Sequence, residues 1–442
     1  MSSPILKPNL IGLMWLAIPL SGAMASQAII NMVDTALVGN LGGLALASVS
    51  IGSYLAFILI AIPVGFAIGM QSAMSRYKDH PQYNHWLMAG VSLSALLGIL
   101  LTTLGHSFSH HAIALYVVDD RMSGIAQTYF DWRLMSIPGI ALSLAIRGYW
   151  ASQHKAWHYS RLLVITHISN IPISYSLIYG LGPIEAMGAA GAGLGTTISI
   201  YLGFALQLYT LPRGLFWHNV RIIPSTLSYW FSMIRMALPG AIQQLAFALH
   251  LAVLLWIISK LGATALAASF TVLNIGLVIL LPLMGLAQAT SSLVAQAQRP
   301  DYAWKWSKLA LQSSIGSGLL SLLIIVLMLD YILPLMLVNR EIIKLANLAL
   351  PVYAFALVFD SFIQIASRSL IATQAARNVA IINILAQWAI LLPITAWLVP
   401  MYGYMTIWWL QVIYRLSLGL GLWGYWYWHA GLKCSPTGHK EL

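Results

Sequence analysis

Gln27, Asn31 and Asp34 follow one another at spacings of four and three residues inside an otherwise apolar run, LAIPLSGAMASQAIINMVDTALVG. On a helix that spacing puts all three on one face. A carboxylate in such a setting can take up and release a proton, or hold a hard cation together with carbonyl and hydroxyl oxygens. Burial disfavours its charged form unless a cation or several donors compensate. A second polar face reads Thr166, His167, Asn170 and Ser174, with Pro172 freeing a backbone carbonyl among them; Thr196 and Thr197 follow in the next apolar segment. Small polar side chains in such segments commonly do no more than join helices. An acid there is a functional candidate by default. His167 is either a packing histidine or, since imidazole titrates near neutrality, a second proton carrier.

The elements that position these residues are set by the solvent. Sixty per cent of the chain is apolar, only 7% is charged, and the mean hydropathy is +0.81. A soluble domain carries about a quarter of its residues as charges. Charges here sit in short loops between apolar runs, and with roughly 20 residues needed per span the punctuation yields twelve transmembrane helices. Their expected bounds are 10–38, 44–75, 86–106, 126–152, 160–182, 188–211, 229–259, 264–296, 305–337, 343–374, 378–400 and 402–429. Nothing alternates as a membrane barrel would. The expected fold is an all-α polytopic membrane protein.

Net charge +11 would suggest nucleic acid in a soluble protein, but its distribution points to a lipid bilayer and to no nucleic acid. Loops after even-numbered helices and both termini hold Lys7, Arg76, Lys78, Lys155, Arg161, Arg213, Arg221, Arg299, Lys305, Lys308, Arg377, Lys433 and Lys440. The opposite loops hold Arg121, Lys260, Arg340 and Lys344. That bias places both termini in the cytoplasm of a multi-pass inner (plasma) membrane protein. Asp34 then stands about 24 residues from the cytoplasmic start, roughly 36 Å along the helix, in the outer half. The first apolar run is too long for a signal-peptide core and is kept as a span. The single cysteine, Cys434, allows neither an internal disulfide nor a cysteine-built metal site.

The chain also repeats itself. At an offset of 220 residues the first stretch matches a second through Pro19/Pro239, Leu41/Leu261, Gly42/Gly262, Ala45/Ala265, Gly65/Gly285 and Ser72/Ser292. Further on, an offset of 221 pairs Arg147/Arg368, Ala151/Ala372, Gln153/Gln374, Pro172/Pro393 and Gly182/Gly403. Matched residues mark scaffold. Asp34 has no match, because the second copy has Leu254 there. Six helices per copy is an even number, so the copies enter the membrane from the same side and form a parallel repeat of two six-helix bundles. The expected division is an N-lobe at 1–211, a basic linker at 212–228, a C-lobe at 229–429 and a cytoplasmic tail at 430–442.

The opening IPLSGAMASQAIINMVDTALVGNLGGLALAS, the run IPVGFAIGMQS and the stretch DSFIQIASRSLIATQAARN resemble the multidrug and toxic compound extrusion (MATE) family, in its DNA-damage-inducible F (DinF) branch. The resemblance covers all twelve helices. It implies two lobes in a V and secondary efflux of amphipathic, often cationic compounds, driven by protons or sodium. It further implies that Asp34 is the family's helix 1 aspartate, that the helix 4 tyrosine falls on Tyr129, the helix 5 asparagine on Asn170 and the helix 6 threonine on Thr196. Ser174 stands where the branch often has a second acid, so a carboxylate pair is not available in this lobe. Asp360 lies where some relatives place a C-lobe acid linked to sodium, and His250 lies near the acidic ligand of other branches; Asp360 reads more readily as a helix-packing partner of a basic residue or a backbone donor.

These readings leave a cation antiporter with Asp34 as its proton or cation site, or a flippase for a lipid-like metabolite. No nucleophile motif, metal-ligand spacing or phosphate loop supports an enzyme. The expected needs are a coupling ion, H+ or Na+, no other cofactor, and amphipathic small-molecule substrates, with the protein acting as a monomer.

Overall fold

The computed structural model describes residues 8–114, 120–183, 185–212, 227–297, 299–336 and 340–434. The first copy forms α1 (Leu10–Gly39), α2 (Gly43–Arg76), α3 (Tyr83–Ala114), α4 (Asp120–Leu134), α5 (Ile137–Ser152), α6 (Ala156–Tyr179) and α7 (Ala189–Thr210). The second forms α8 (Leu227–Ser259), α9 (Ala263–Ala295), α10 (Pro300–Met336), α11 (Arg340–Ala372) and α12 (Ala376–Leu385). A π-helical turn over Ala386–Leu391 then leads into α13 (Leu392–Tyr402) and α14 (Met405–Cys434). Among the described residues nine helices are long and apolar enough to cross a membrane. The protein is an all-helical polytopic membrane protein. Most of the expected linker, with Arg213 and Arg221, and the terminal Lys7 and Lys440 lie outside the described residues, as do the side chains of Lys433 and Cys434.

Two spans differ from their expected form, and proline is the reason in both. The fourth span, expected as one helix over 126–152, starts at Asp120 and breaks at Met135–Ser136. Pro138 has no N–H to offer the carbonyl four residues back. That carbonyl, on Leu134, instead accepts a hydrogen bond from the Thr102 hydroxyl of α3 at 2.9 Å. In the eleventh span, Pro393 follows directly on the π-turn, a local widening of the kind that commonly marks functional positions.

The repeat is visible in the backbone. Gly42 and Gly262 open α2 and α9 with φ of +107° and +103°, a conformation only glycine adopts at little cost. Gly98 packs on Pro138, and Gly318 packs on Val358 at the same place in the second copy. His154 and Gln374 occupy the left-handed region in the turns after α5 and α11. These pairs all lie 220 apart, which corrects the expected shift to 221 before this turn. Arg147 is therefore matched with Ser367, and Arg368 with Gly148. Val358 in place of Pro138 also explains why α11 runs unbroken where α4 and α5 are separate.

The chain divides into two compact units, residues 22–245 and residues 1–21 with 246–442. The boundaries fall inside α1 and α8, each of which has an internal proline, Pro19 and Pro239. In the first unit α8 approaches α2 so closely that a Cβ on Gly69 would stand 2.5 Å from the Ala237 Cα. Its core gathers Met70, Met74, Trp86, Met88, Tyr149 and Trp150. The other unit is built around Val272, Ile279, Leu333, Leu350, Tyr353 and Trp408.

Candidate functional site

Asp34 is presented by α1 to α7. Its Oδ2 accepts a hydrogen bond from the Thr196 hydroxyl at 3.3 Å, while its Oδ1 is buried and has no hydrogen-bond partner among the described residues. The single Thr196 hydroxyl proton is shared with the Ala192 carbonyl one turn back, at 2.9 Å. The backbone near Asp34 is pinned to α6 by the Tyr179 hydroxyl, which donates to the Leu37 carbonyl at 2.6 Å. Arg133 of α4 is the cation whose field reaches the carboxylate.

α6 and α7 form the wall behind it. Glycines of α7 let the two helices meet at backbone distance: a Cβ on Gly195 would lie 2.6 Å from the Ser174 hydroxyl, and one on Gly203 would overlap Thr166. This antiparallel register sets Asn170 opposite Ser199, with Nδ2 donating to the serine oxygen at 3.4 Å. Asn170 Oδ1 and Ser174 Oγ are buried and unpartnered, like Asp34 Oδ1. Asn170 and Ser174 are one turn apart on α6, and Thr196 and Ser199 one turn apart on α7. This lobe thus combines a carboxylate, an amide carbonyl and hydroxyls, the oxygen types that receive a proton or ligate a hard cation.

The other expected members sit elsewhere in the same unit. Tyr129 is hydrogen-bonded to Ser53 of α2 at 2.9 Å. His167 Nδ1 pairs with the Ser26 hydroxyl of α1 at 2.7 Å. The side chains of Gln27 and Asn31 lie outside the described ones. Among the described residues Thr196 is the group in hydrogen-bond contact with Asp34; Tyr129 and His167 pair with serines, and Asn170 gives its amide N–H to Ser199 and leaves its oxygen unpartnered.

Residues 19–176 and residues 239–397 each match the MatE family. The chain belongs to the MatE family. The paired matches coincide with the two copies of the repeat. Among relatives of this MatE chain, a probable multidrug resistance protein NorM from Idiomarina loihiensis is 24% identical over 412 residues, covering 88% of each chain. The multidrug resistance protein MdtK of Yersinia enterocolitica is 22% identical over 417 residues and 90% of each. In fold, it is similar to a MOP superfamily transporter from Pyrococcus furiosus, described as having a binding pocket of reverse polarity. That likeness has a TM-score of 0.87 at 19% identity over 96% of both chains. A multidrug resistance MATE transporter in an outward-facing conformation gives 0.84 at 18% identity, over 95% of this chain and 96% of the other.

The C-lobe positions behave differently. Asp360 of α11 is paired with Arg415 of α14, 2.5 Å from Oδ1 to Nη1, with side chains 6% and 13% exposed. Its second oxygen accepts from Gln364 at 3.2 Å. His250 of α8 is buried and lies in the field of Arg415. The sequence allows a basic partner for Asp360 but does not single out Arg415 from its spacing. The signal was present: one arginine midway along an apolar span, in a lobe whose buried acid needed a counter-charge.

Proposed function

We propose that this MatE protein exports amphipathic, often cationic compounds by cation-coupled antiport, with Asp34 as the main protonation site. The observation that carries this is the Asp34 carboxylate, half satisfied by Thr196, with one buried oxygen unpaired in a lobe that supplies mainly acceptors. A carboxylate so placed binds a proton in exchange for a cationic solute, and alternating access converts that exchange into transport. The multidrug names of the NorM and MdtK relatives support the substrate class. The Asp34, Asn170 and Thr196 set supports assignment to the DinF branch. We place the protein in the plasma membrane with both termini cytoplasmic, acting as a monomer without cofactor or catalytic activity.

Sodium coupling is the second reading, favoured by the oxygen set of Asp34, Asn170 and Ser174. The coupling ion is tested in vesicles holding the purified protein and a fluorescent organic cation. Efflux driven by a pH gradient in sodium-free buffer supports proton coupling. A strict need for a sodium gradient replaces the proton with sodium at the same carboxylate. Absence of cation movement under both gradients would reject the antiport reading in favour of a flippase.

A further inference from the structure

Asp360 and Arg415 make the buried ion pair of the second copy, and the arginine is the less satisfied partner. Both Asp360 oxygens are engaged, by Arg415 and Gln364. Arg415 gives Nη1 to Asp360, reaches the Tyr353 hydroxyl with Nη2 at 3.4 Å, and buries Nε without an acceptor. His250, only 5% exposed, leaves Nδ1 unpartnered in the field of that guanidinium. Gln387, in the π-turn, leaves Oε1 buried and unpartnered among the described residues. A buried donor left unmade costs about 1–3 kcal/mol, more when charged, and native structures seldom tolerate several together.

The cluster is not repeat scaffold. In the 220 register the first copy has Ile140 opposite Asp360 and Ile30 opposite His250. The matching helix α6 contains no π-turn. As with Asp34, Asp360 and His250 belong to one copy only.

We propose that Arg415, held in place by Asp360, is a binding subsite for the carboxylate of a zwitterionic amphiphile. Asp360 fixes one arm of the planar fork, which leaves the Nε–Nη2 edge to offer two parallel N–H donors, the arrangement that matches a carboxylate. Because Asp360 already balances Arg415, a simple anion would add an uncompensated charge to a buried cluster. A ligand that carries its own cationic group would not. The subsite rests on the efflux reading and refines its substrate class: compounds with a carboxylate beside a cationic centre, in preference to purely cationic ones.

The test compares rhodamine B, a zwitterion with a free carboxylate, with its ethyl ester, a cation otherwise alike. Equilibrium binding to the purified full-length protein is read by fluorescence anisotropy, so no transport or coupling step enters. The wild type is expected to prefer the free acid, and Arg415→Lys to cut that preference roughly tenfold or more, the worth of one hydrogen bond to a charged group. Lysine keeps the charge opposite Asp360 and loses the fork. Should Arg415→Lys not fold, the neutral pair Asp360→Asn with Arg415→Gln carries the same expectation. The readout is binding without any gradient, so loss of gradient-driven export in Asp34→Asn bears on coupling and not on this subsite. A wild type that does not prefer the acid, or a folded Arg415 variant that keeps the preference, overturns the proposal.

Discussion

Thr196 Oγ1 lies 3.3 Å from Asp34 Oδ2, joining α7 to α1 through an acid of the first copy whose place in the second is taken by Leu254. The contact links two local causes. The glycine-rich start of α7 brings that helix against α6, and the turn of α1 that carries Asp34 is tied down by Tyr179. Gly191 and Gly193 of α7 and Tyr179, like Asp34, have no match in the second copy, where Gln411, Ile413 and Val399 stand at the 220 offset.

Removing that hydroxyl should impair coupling without unfolding the protein. Thr196→Val keeps the shape and loses a charge-assisted hydrogen bond of about 1.5–3 kcal/mol. Gradient-driven export should fall about tenfold or more, while Thr196→Ser should retain most of it. Initial export rates at matched expression are the readout; equal rates for valine and wild type would remove Thr196 from the site.

The Asp360–Arg415 pair should matter to stability in a non-additive way. Arg415→Gln strands a buried carboxylate, at a cost of about 3–5 kcal/mol. Changing Asp360 to Asn as well should recover most of that loss, since no charge is then left unpaired. Thermal melts of the single and double variants decide the point; a double variant as unstable as the single would mean that packing rather than charge governs this cluster.

Much of the architecture was legible in the sequence, because apolar length and loop charge are direct consequences of a lipid solvent. The duplication was legible through Gly42 and Gly262, whose positive φ values tolerate no ordinary side chain. The break before Pro138 was written in the sequence as well. It was hidden by the apolar run on both sides and needed Thr102 to satisfy the freed carbonyl. The family resemblance named Thr196, and the structure sets its hydroxyl 3.3 Å from the Asp34 carboxylate. The serine partners of Tyr129, His167 and Asn170 could not be read, because serine is common in helices and only a tertiary contact distinguishes one from another.

Gly191 offers a packing test of the α6–α7 wall. A Cβ there would overlap the Leu177 carbonyl, and a backbone atom cannot swing aside as a side-chain tip can. Gly191→Ala should destabilise the protein by about 1–3 kcal/mol and reduce export through the displaced α7. Gly124, with open space around it, is the control, and Gly124→Ala should melt like wild type. Equal melting of both variants would show that the two helices tolerate separation.

The two left-handed glycines give a matched pair. Gly42→Ala and Gly262→Ala each force a side chain into a backbone region that costs about 1–3 kcal/mol. Comparable drops in melting temperature are expected, since φ and ψ agree within a few degrees. A large difference would mean that the copies do not share this turn.

The most direct test of the central claim is export of a fluorescent cation from vesicles containing wild-type or Asp34→Asn protein, under an imposed pH gradient in sodium-free buffer. The account predicts that the asparagine protein is folded and inserted, binds the cation, and moves none of it against its gradient. Gradient-driven export by Asp34→Asn at the wild-type rate would contradict it.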